Sequence, residues 1–345
     1  MNTCLGCSLA ACLTLAASAL GQTVNPPFDD DYSVTDLGIV PGVPTPYGGM
    51  VFARDNPNVL LIGGAANTAA GAIYSIGLTR GGDGRITGFS GTATLLSTAP
   101  GIDGGLAYAF NGTLIFTGFP TNIIGQILPG DATPARITDV TTIGISASVG
   151  SLVFVPPGNP GAGLFKVMSY TASEWYDVDL VDDGGGLFTL AAATLRATTK
   201  GGTEGAFYVP PCSAGFFVRS MIVSEWDANR VATYAIDANG DPIPSTFRPF
   251  ITDLVGAEGA VVDPLTGDFM FCTFVFEKEN HVFRVQGFPR PCPADFNQDC
   301  FLNGKDFDEY VQAFEAGDVT ADFDGDRFVT GIDFDLFVQA FEVGC

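Results

Sequence analysis

Two twelve-residue segments near the C-terminus place oxygen-bearing side chains at positions 1, 3, 5, 9 and 12. The first segment covers residues 295 to 306 and the second covers residues 322 to 333. Calcium takes six to eight oxygen ligands, and this spacing lets one loop wrap around the ion. Because the pattern occurs twice, we expect two bound calcium ions. The predicted ligands, with position 7 supplying its backbone carbonyl, are Asp295, Asn297, Asp299, Phe301, Asn303, Asp306, Asp322, Asp324, Asp326, Phe328, Thr330 and Asp333.

Each of these two loops is followed by apolar residues at helical spacing, i, i+3, i+4 and i+7. Such a stripe predicts a short amphipathic helix after each loop. Both helices contain the sequence Val-Gln-Ala-Phe-Glu, so we infer an internal duplication in which the two aromatic stripes pack together. The alternative is two acidic turns that precede two helices without binding a metal. The stripes are Phe307, Tyr310, Val311 and Phe314, and Phe334, Phe337, Val338 and Phe341.

A calcium loop followed by one helix, present twice, resembles the type I dockerin module, which lacks the first helix of a full EF-hand. The resemblance covers Asp295 to Phe341 and implies two calcium ions and a cohesin-like partner, often in secreted assemblies that degrade polysaccharides. Loop position 6 is usually Gly because the backbone turns through positive φ there, whereas this chain has Cys300 and Arg327. The Ser/Thr-type pair that often contacts cohesin is replaced by Gly304-Lys305 and Gly331-Ile332.

The formal charge of the chain is -23, and it is unevenly distributed. Residues 292 to 345 contain 13 acidic residues against two basic ones, which gives this segment a charge of -11. A surface this acidic repels phosphate backbones and anionic lipids, so we expect neither a nucleic acid nor a membrane surface as a partner. It suits the capture of cations.

The first 21 residues are apolar and rich in small side chains, which predicts a secretory signal peptide. Lipidation at Cys12 is an alternative. No later stretch reaches the roughly 20 apolar residues of a membrane span. We therefore expect a secreted or periplasmic protein with a large domain at residues 22–290 and a dockerin-like calcium module at residues 291–345.

Five cysteines remain after the predicted cleavage, which leaves one thiol unpaired in an oxidising compartment. Cys292 and Cys345 flank the duplicated module, so we predict a disulfide between them. Cys300 is an alternative partner for Cys345, and Cys212 with Cys272 would form the remaining pair.

The large domain contains five similar apolar segments separated by 56, 46, 54 and 54 residues. Each is followed by a turn and further β-rich runs, so each unit has room for four strands, as in a β-propeller blade. The sequence thus predicts a mainly β fold, a five-bladed propeller, with six blades or a pair of β-sandwiches as alternatives. The segments begin at Gly49, Gly105, Ser151, Gly205 and Gly259.

The fifth unit ends after the strand at residues 281–286 and has no fourth strand of its own. The opening segment at residues 32–38 resembles the fourth-strand segments of other units and is predicted to complete the ring. Such closure leaves no unpaired central edge.

Asp103, Glu204 and Glu258 each precede a Gly at the start of a predicted inner strand. In a propeller these positions lie at the mouth of the central channel, where three carboxylates would raise one another's pKa or share a cation. The Glu-Gly pairs resemble those of gluconolactonase-like propellers, which implies a divalent metal that polarises a lactone. The alternative is ordinary turn chemistry before a strand.

Asp55 and Asp263 end inner strands of neighbouring blades and are candidates for a two-carboxylate glycoside hydrolase. Both also fit turns. His281 is the only histidine and is expected to be structural, since no Ser-His-Asp arrangement is present around it.

The sequence favours the first of two functions, and the second is the alternative. The first is a scaffold whose propeller binds a protein or carbohydrate and whose dockerin-like module tethers it to a cohesin-like or other extracellular partner. The second is a hydrolase, either a metal-dependent lactonase or esterase using Glu204 and Glu258, or a glycoside hydrolase. The deciding feature is whether Asp103, Glu204 and Glu258 converge at one channel mouth with an Asn or Asp beside them.

Overall fold

The computed structural model describes residues 21–324 and 328–344. Nearly all of the predicted signal segment lies outside these residues, as do the predicted ligand Asp326 and Cys345. No described helix is long and apolar enough to cross a membrane.

The described residues start with two strands that join later sheets, and the strands together form five antiparallel sheets, four with four strands and one with five. The predicted five-bladed propeller is confirmed, and the six-bladed and sandwich alternatives are wrong. The first two strands are β1 (Thr23–Val24) and β2 (Ser33–Gly38). Blade 1 contains β3 (Met50–Ala53), β4 (Asn56–Gly64), β5 (Ala72–Arg80) and β6 (Ile86–Thr98). Blade 2 contains β7 (Ile102–Tyr108), β8 (Leu114–Gly118), β9 (Ile123–Ile127) and β10 (Arg136–Asp139).

The other three blades follow the same order from the channel outward. Blade 3 contains β11 (Val149–Phe154), β12 (Phe165–Ser169), β13 (Glu174–Asp182) and β14 (Phe188–Thr198). Blade 4 contains β15 (Thr203–Tyr208), β16 (Ser220–Glu225), β17 (Arg230–Ala235) and β18 (Arg248–Thr252). Blade 5 contains β19 (Ala257–Val262), β20 (Phe269–Thr273) and β21 (Val282–Gln286).

The ring closes through the N-terminal strand β2, as predicted. It pairs antiparallel with β21, with Val34 opposite Val285, and supplies the outer strand of blade 5. The sequence did not predict β1, which pairs with β18 and adds a fifth strand to blade 4. A two-residue strand has no periodicity that a sequence pattern could reveal.

The inner strands of different blades approach one another so closely around the centre that glycines are required at their starts. A Cβ atom on Gly104 would lie 1.9 Å from the Glu204 carbonyl oxygen, and one on Gly205 would lie 2.4 Å from that of Glu258. Real Cβ atoms do not come this close, so backbone fills the centre of the channel at this level. Apolar clusters between adjacent sheets form the core, and the Phe207 and Phe269 rings stack across blades 4 and 5 with centroids 4.4 Å apart.

After the propeller, two helices of equal length form the C-terminal module: α1 (Gly304–Ala316) and α2 (Gly331–Val343). Both begin with a capping box, in which Asn303 and Asp306 serve α1 while Thr330 and Asp333 serve α2. The predicted packing of the two aromatic stripes is confirmed, since their rings form one buried cluster. At its centre, Tyr310 and Phe337 stack with ring centroids 3.7 Å apart.

A disulfide between Cys212 and Cys300 joins the loop after β15 to the first calcium loop. The predicted Cys212–Cys272 pair and the alternative Cys300–Cys345 pair are therefore wrong. Cys272 is a buried free thiol inside β20, and its Sγ donates to the Gly48 carbonyl oxygen at 3.1 Å. Cys292 is also disulfide-bonded. Its predicted partner, Cys345, lies outside the described residues, so that pairing stays a prediction.

Candidate metal site at the channel mouth

Three acidic residues occupy the second position of the inner strands in blades 2, 4 and 5. At each one the pairing with the next strand is irregular: the register shifts between Ile102 and Leu106, between Thr203 and Gly205, and between Ala257 and Ala260. A β-bulge re-aims a side chain that regular pairing would direct elsewhere. The residues are Asp103, Glu204 and Glu258. They lie within strands, so the alternative interpretation as turns before a strand is wrong.

The three side chains converge. Asp103, Glu204 and Glu258 each offer one carboxylate oxygen, and these oxygens all lie within 4.8 Å of one another. The residues are only 2 %, 5 % and 1 % exposed. Each has a buried oxygen without a hydrogen-bond partner: Oδ1 of Asp103, Oε2 of Glu204 and Oε1 of Glu258. Buried polar atoms are normally paired, so this arrangement indicates a missing partner of positive charge. We call this cluster the acidic mouth.

Glycines in the two remaining blades make room for the acidic mouth. Gly48 and Gly150 occupy the equivalent positions in blades 1 and 3. A Cβ atom on Gly150 would lie 2.7 Å from Oε2 of Glu204 and 2.2 Å from the Thr203 carbonyl oxygen. Even an alanine at Gly150 would therefore displace the Glu204 carboxylate.

Burial and mutual repulsion favour the uncharged form of all three acids. Burial raises the pKa of Asp103 to about 7, although hydrogen bonds from neighbouring groups oppose this. Burial, followed by the charge of Asp103, raises the pKa of Glu204 well above its ordinary value. Burial, followed by the charges of Glu204 and Asp103, does the same for Glu258. Without a cation, the acidic mouth must therefore hold protons at neutral pH.

The residues of the acidic mouth fit a hard divalent cation. Calcium binds oxygen at 2.3–2.6 Å, so two oxygens on one ion can be up to about 5 Å apart. Because the three carboxylate oxygens all lie within 4.8 Å of one another, one ion can contact all three. Asn67 lies beside Asp103 and has a buried Oδ1 without a partner, which offers a fourth oxygen. A set made only of oxygen ligands suits calcium, magnesium or manganese rather than zinc or copper.

A pocket of about 190 Å³ lies over the acidic mouth and is walled by aromatic rings. On its rim, the Tyr170 hydroxyl donates a hydrogen bond of 2.6 Å to Oδ1 of Asp227. The indole N–H of Trp226 donates to the Phe274 carbonyl oxygen at 2.9 Å and so fixes one wall. The volume suits a small molecule rather than a polymer segment. The aromatic lining consists of Phe119, Tyr170, Trp226, Phe274 and Phe276.

The other sequence candidates in the propeller lie apart from this site. Asp263 is fully buried, and its two oxygens accept hydrogen bonds from Arg80 at 2.6 and 3.0 Å. Asp55 lies in the exposed turn between β3 and β4. Neither belongs to an acidic cluster that could hold a metal among the described residues. Nδ1 of His281 lies 2.7 Å from Oδ2 of Asp36, and this hydrogen bond links the start of β21 to β2.

Sequence reasoning missed Asn67, Asp227 and the aromatic wall. All lie on loops or strand ends of different blades, and only ring closure brings them together. One local signal was present: Asn67 has φ +61, a left-handed conformation that Asn tolerates better than most residues. Nothing in the sequence connects it with Asp103.

In the C-terminal module, the two predicted calcium loops are loop 1, residues 295–306, and loop 2, residues 322–333. Asp322, Asp324 and Asp333 of loop 2 each place an oxygen within 4.8 Å of the others. In loop 1, Asp295 accepts hydrogen bonds from the Asp299 and Cys300 amides, both at 3.1 Å. In loop 1, the Asp306 carboxylate is part of the capping box of α1.

Cys300, the non-glycine residue at position 6 of loop 1, adopts the backbone conformation that is usual at this position of a calcium loop. Cys300 has φ +76, in the left-handed region where the usual glycine would lie. The disulfide to Cys212 holds a non-glycine residue in this conformation. Its equivalent in loop 2, Arg327, lies outside the described residues.

No protein-family model matches the chain, and no curated protein sequence does. Several solved structures are similar in outline at low identity. A glucose dehydrogenase is 10 % identical with a TM-score of 0.41, over 74 % of this chain and 99 % of that one. Glutaminyl cyclase from Myxococcus xanthus is 13 % identical with a TM-score of 0.41, over 73 % and 95 %. A 6-phosphogluconolactonase candidate from Bacteroides uniformis is 13 % identical with a TM-score of 0.37, over 70 % and 72 %. The function of this chain is therefore inferred from its own residues.

Proposed function

We propose that the protein is a metal-dependent hydrolase of small esters or lactones, exported from the cell and carrying a C-terminal calcium module. One observation carries this proposal: three buried carboxylates with unpartnered oxygens converge at the base of a small pocket. A scaffold that only displays a surface has no need of such a cluster, because it destabilises the fold unless a cation or protons neutralise it.

Each part of the site has a separate task. Asp103, Glu204, Glu258 and Asn67 would hold a divalent cation, and when bound that ion would polarise the carbonyl group of a substrate. The aromatic walls hold the flat face of a small substrate and exclude water. Asp227, which accepts a hydrogen bond from the pocket-lining Tyr170, is our candidate for the carboxylate that accepts the proton of the attacking water. The products of such a reaction are a carboxylic acid and an alcohol, which are joined in one molecule when the substrate is a lactone.

The proposal is tested by assaying the full chain against a panel of small lactones and aryl esters. We expect hydrolysis that chelator abolishes and that calcium, magnesium or manganese restores. Glu204→Gln should lower kcat/KM at least a hundredfold. Glu225→Gln is the matched control, because Glu225 is equally buried but its carboxylate pairs with Arg230, 2.5 Å away, and is not part of the three-acid cluster. Equal activity in the unaltered chain and the Glu204→Gln variant would overturn the proposal.

A second function is supported by the C-terminal module itself. Its duplicated loops, capped helices and buried aromatic cluster are what a calcium-dependent dockerin-like unit needs. We propose that it tethers the protein to a cohesin-like or other extracellular partner. The partner would contact the exposed residues at the helix starts, such as Ile332. The disulfide is compatible with an extracellular or periplasmic location.

Tethering is tested separately from catalysis. The full chain should retain a partner from the native secreted fraction in calcium and release it in EDTA. Ile332→Asp should weaken retention while lactone hydrolysis is unchanged. Retention that is independent of calcium, or unaltered in Ile332→Asp, would contradict this role for the module.

A further inference from the structure

The end of the channel opposite the acidic mouth opens into a cavity of about 930 Å³. Its propeller wall consists of the later residues of the inner strands, including Leu106, Leu152 and Val261. No residue lines both this cavity and the pocket over the acidic mouth. The close-packed glycine backbone at the starts of the inner strands separates them. We call this cavity the module chamber, defined by the inner-strand ends and residues 289–302.

The opposite wall of the module chamber is the start of the C-terminal module. Three prolines at positions 289, 291 and 293 line it and stiffen the chain that crosses the channel. The Cys212–Cys300 disulfide then fixes loop 1 to the propeller. Gln298 packs so tightly on Gly158 that a Cβ atom there would lie 1.6 Å from its Nε2. The start of the C-terminal module thus forms one wall of the module chamber.

The chemistry of the chamber walls indicates an uncharged ligand. Most lining residues are aliphatic, aromatic or proline. Among the described residues, the only charged ones in the lining are Arg290 and Asp295, whose charges cancel, and Arg290 already donates to the Asp83 carbonyl oxygen. Asn159 and Gln298 also line the chamber, and each has a buried oxygen without a hydrogen-bond partner. A ligand N–H or O–H group would supply the missing donor.

We propose that the module chamber binds an uncharged, mainly apolar small molecule with one or two hydrogen-bond donors, and that calcium in loop 1 strengthens this binding. The volume lies within the range of sites that bury small organic ligands, about 300–1,000 Å³. Positions 1, 4, 6 and 8 of loop 1 line the chamber: Asp295, Gln298, Cys300 and Leu302. An ion that orders this loop therefore orders a wall of the chamber.

The first test titrates the full chain in calcium with N-phenyl-1-naphthylamine, an uncharged aromatic probe with one N–H group. We expect one saturable site. Val51→Trp, which adds bulk inside the chamber, should weaken binding at least tenfold. Val181→Trp makes the same change at an exposed position near the end of β13 and should have no effect. Absence of saturable binding, or equal binding by the Val51→Trp variant, would overturn the proposal.

A second variant guards against misfolding of Val51→Trp. Gln298→Glu alters a loop residue without adding bulk and places a charge against the apolar wall, so it should also weaken probe binding at least tenfold. Unaltered affinity in this variant, with an unaltered near-ultraviolet circular dichroism spectrum, would count against the chamber as the site.

The calcium dependence has its own controls. Chelator should weaken probe binding about fivefold or more, the lower end of typical coupling between sites. Asp295→Asn in loop 1 should remove this dependence, and Asp322→Asn in loop 2 should preserve it. If both variants behave like the unaltered chain, loop 1 does not control the chamber. Because linkage is reciprocal, the probe must also raise the calcium affinity of loop 1 by the same factor.

The disulfide provides a further check. Cys212→Ser combined with Cys300→Ser frees loop 1 from the propeller, so probe binding should weaken while metal binding at the acidic mouth stays unchanged. Equal probe affinity in this double variant would show that the module does not form the wall. These measurements do not involve hydrolysis, so their outcome is independent of the proposed catalytic role.

Discussion

Replacing Glu258 by Gln should stabilise the metal-free protein and at the same time remove its response to metal. The three carboxylate oxygens lie within 4.8 Å of one another, and two unit charges at that distance or closer repel by at least about 3.5 kcal/mol at an effective dielectric constant of 20. The neutral amide removes this repulsion from both Asp103 and Glu204 while keeping the shape of the side chain. Protonation already relieves part of it in the unaltered protein, so the gain at pH 8 should be about 2–4 kcal/mol.

The pH dependence of the metal-free protein follows from the same groups. A carboxyl whose pKa is raised in the folded state binds more protons there than in the unfolded chain, so stability falls as pH rises between the two values. For Asp103 this window runs from its ordinary pKa of 3.8 to about 7. The loss across it is on the order of 4 kcal/mol. Glu204 and Glu258 add to the decline because their pKa values are also raised in the folded protein.

Thermal unfolding of the full chain at pH 5 and pH 8, with and without divalent metal, measures these effects. At pH 8 without metal, Glu258→Gln should melt higher than the unaltered protein, by roughly 4 °C or more. With metal at 100 times its dissociation constant, the unaltered protein should gain about 2.7 kcal/mol, and the variant should gain only the part contributed by the C-terminal module. Metal should also flatten the decline with pH, because the ion replaces the protons.

Glu225→Gln is the control for this experiment. Glu225 accepts hydrogen bonds from Arg230 and Tyr234, so its neutralisation should lower the melting temperature with and without metal and leave the metal response intact. A Glu258→Gln variant that melts lower than the unaltered protein without metal at pH 8 would refute the reasoning. So would a metal response of unaltered size.

Three further predictions concern other parts of the molecule. Asp227→Asn should lower kcat at least tenfold without changing metal affinity; equal losses of both would place Asp227 among the ligands instead. Arg80→Met should destabilise the protein by about 3–5 kcal/mol in denaturant unfolding, because it leaves the Asp263 carboxylate buried without its cation. Loop 2 should bind calcium more tightly than loop 1 because it has four carboxylates rather than three; in calorimetry Asp333→Asn should remove the tighter site and Asp306→Asn the weaker one, and the reverse order would contradict this.

The propeller could be predicted because each blade repeats one physical requirement. An inner strand must be apolar along its length and must start with glycine where neighbouring backbones meet, as at Gly105, Gly205 and Gly259. That signal recurs at a nearly constant interval. The ring closure by β2 could also be predicted, because its sequence resembles other outer strands and the last blade lacked one.

The three acids of the candidate site were found from the sequence, but their convergence was not decided by it. Local chemistry allows an acidic residue before Gly in a turn, and only the register shifts in the three sheets direct the side chains into the channel. Asn67 and the aromatic rim depend on contacts between blades. The Cys212–Cys300 pair joins residues 88 positions apart across two parts of the chain, and cysteine spacing contains no information on such a contact.

Counting the calcium ions bound per chain tests the central claim most directly. Equilibrium dialysis of the full chain should give three ions at saturation, two in the module loops and one at the acidic mouth. The Glu204→Gln/Glu258→Gln variant should bind two, and the Asp295→Asn/Asp322→Asn variant should retain the ion at the acidic mouth. If removing both glutamates leaves the number of bound ions unchanged, with manganese as with calcium, the acidic mouth is not a metal site and the proposed hydrolase mechanism fails.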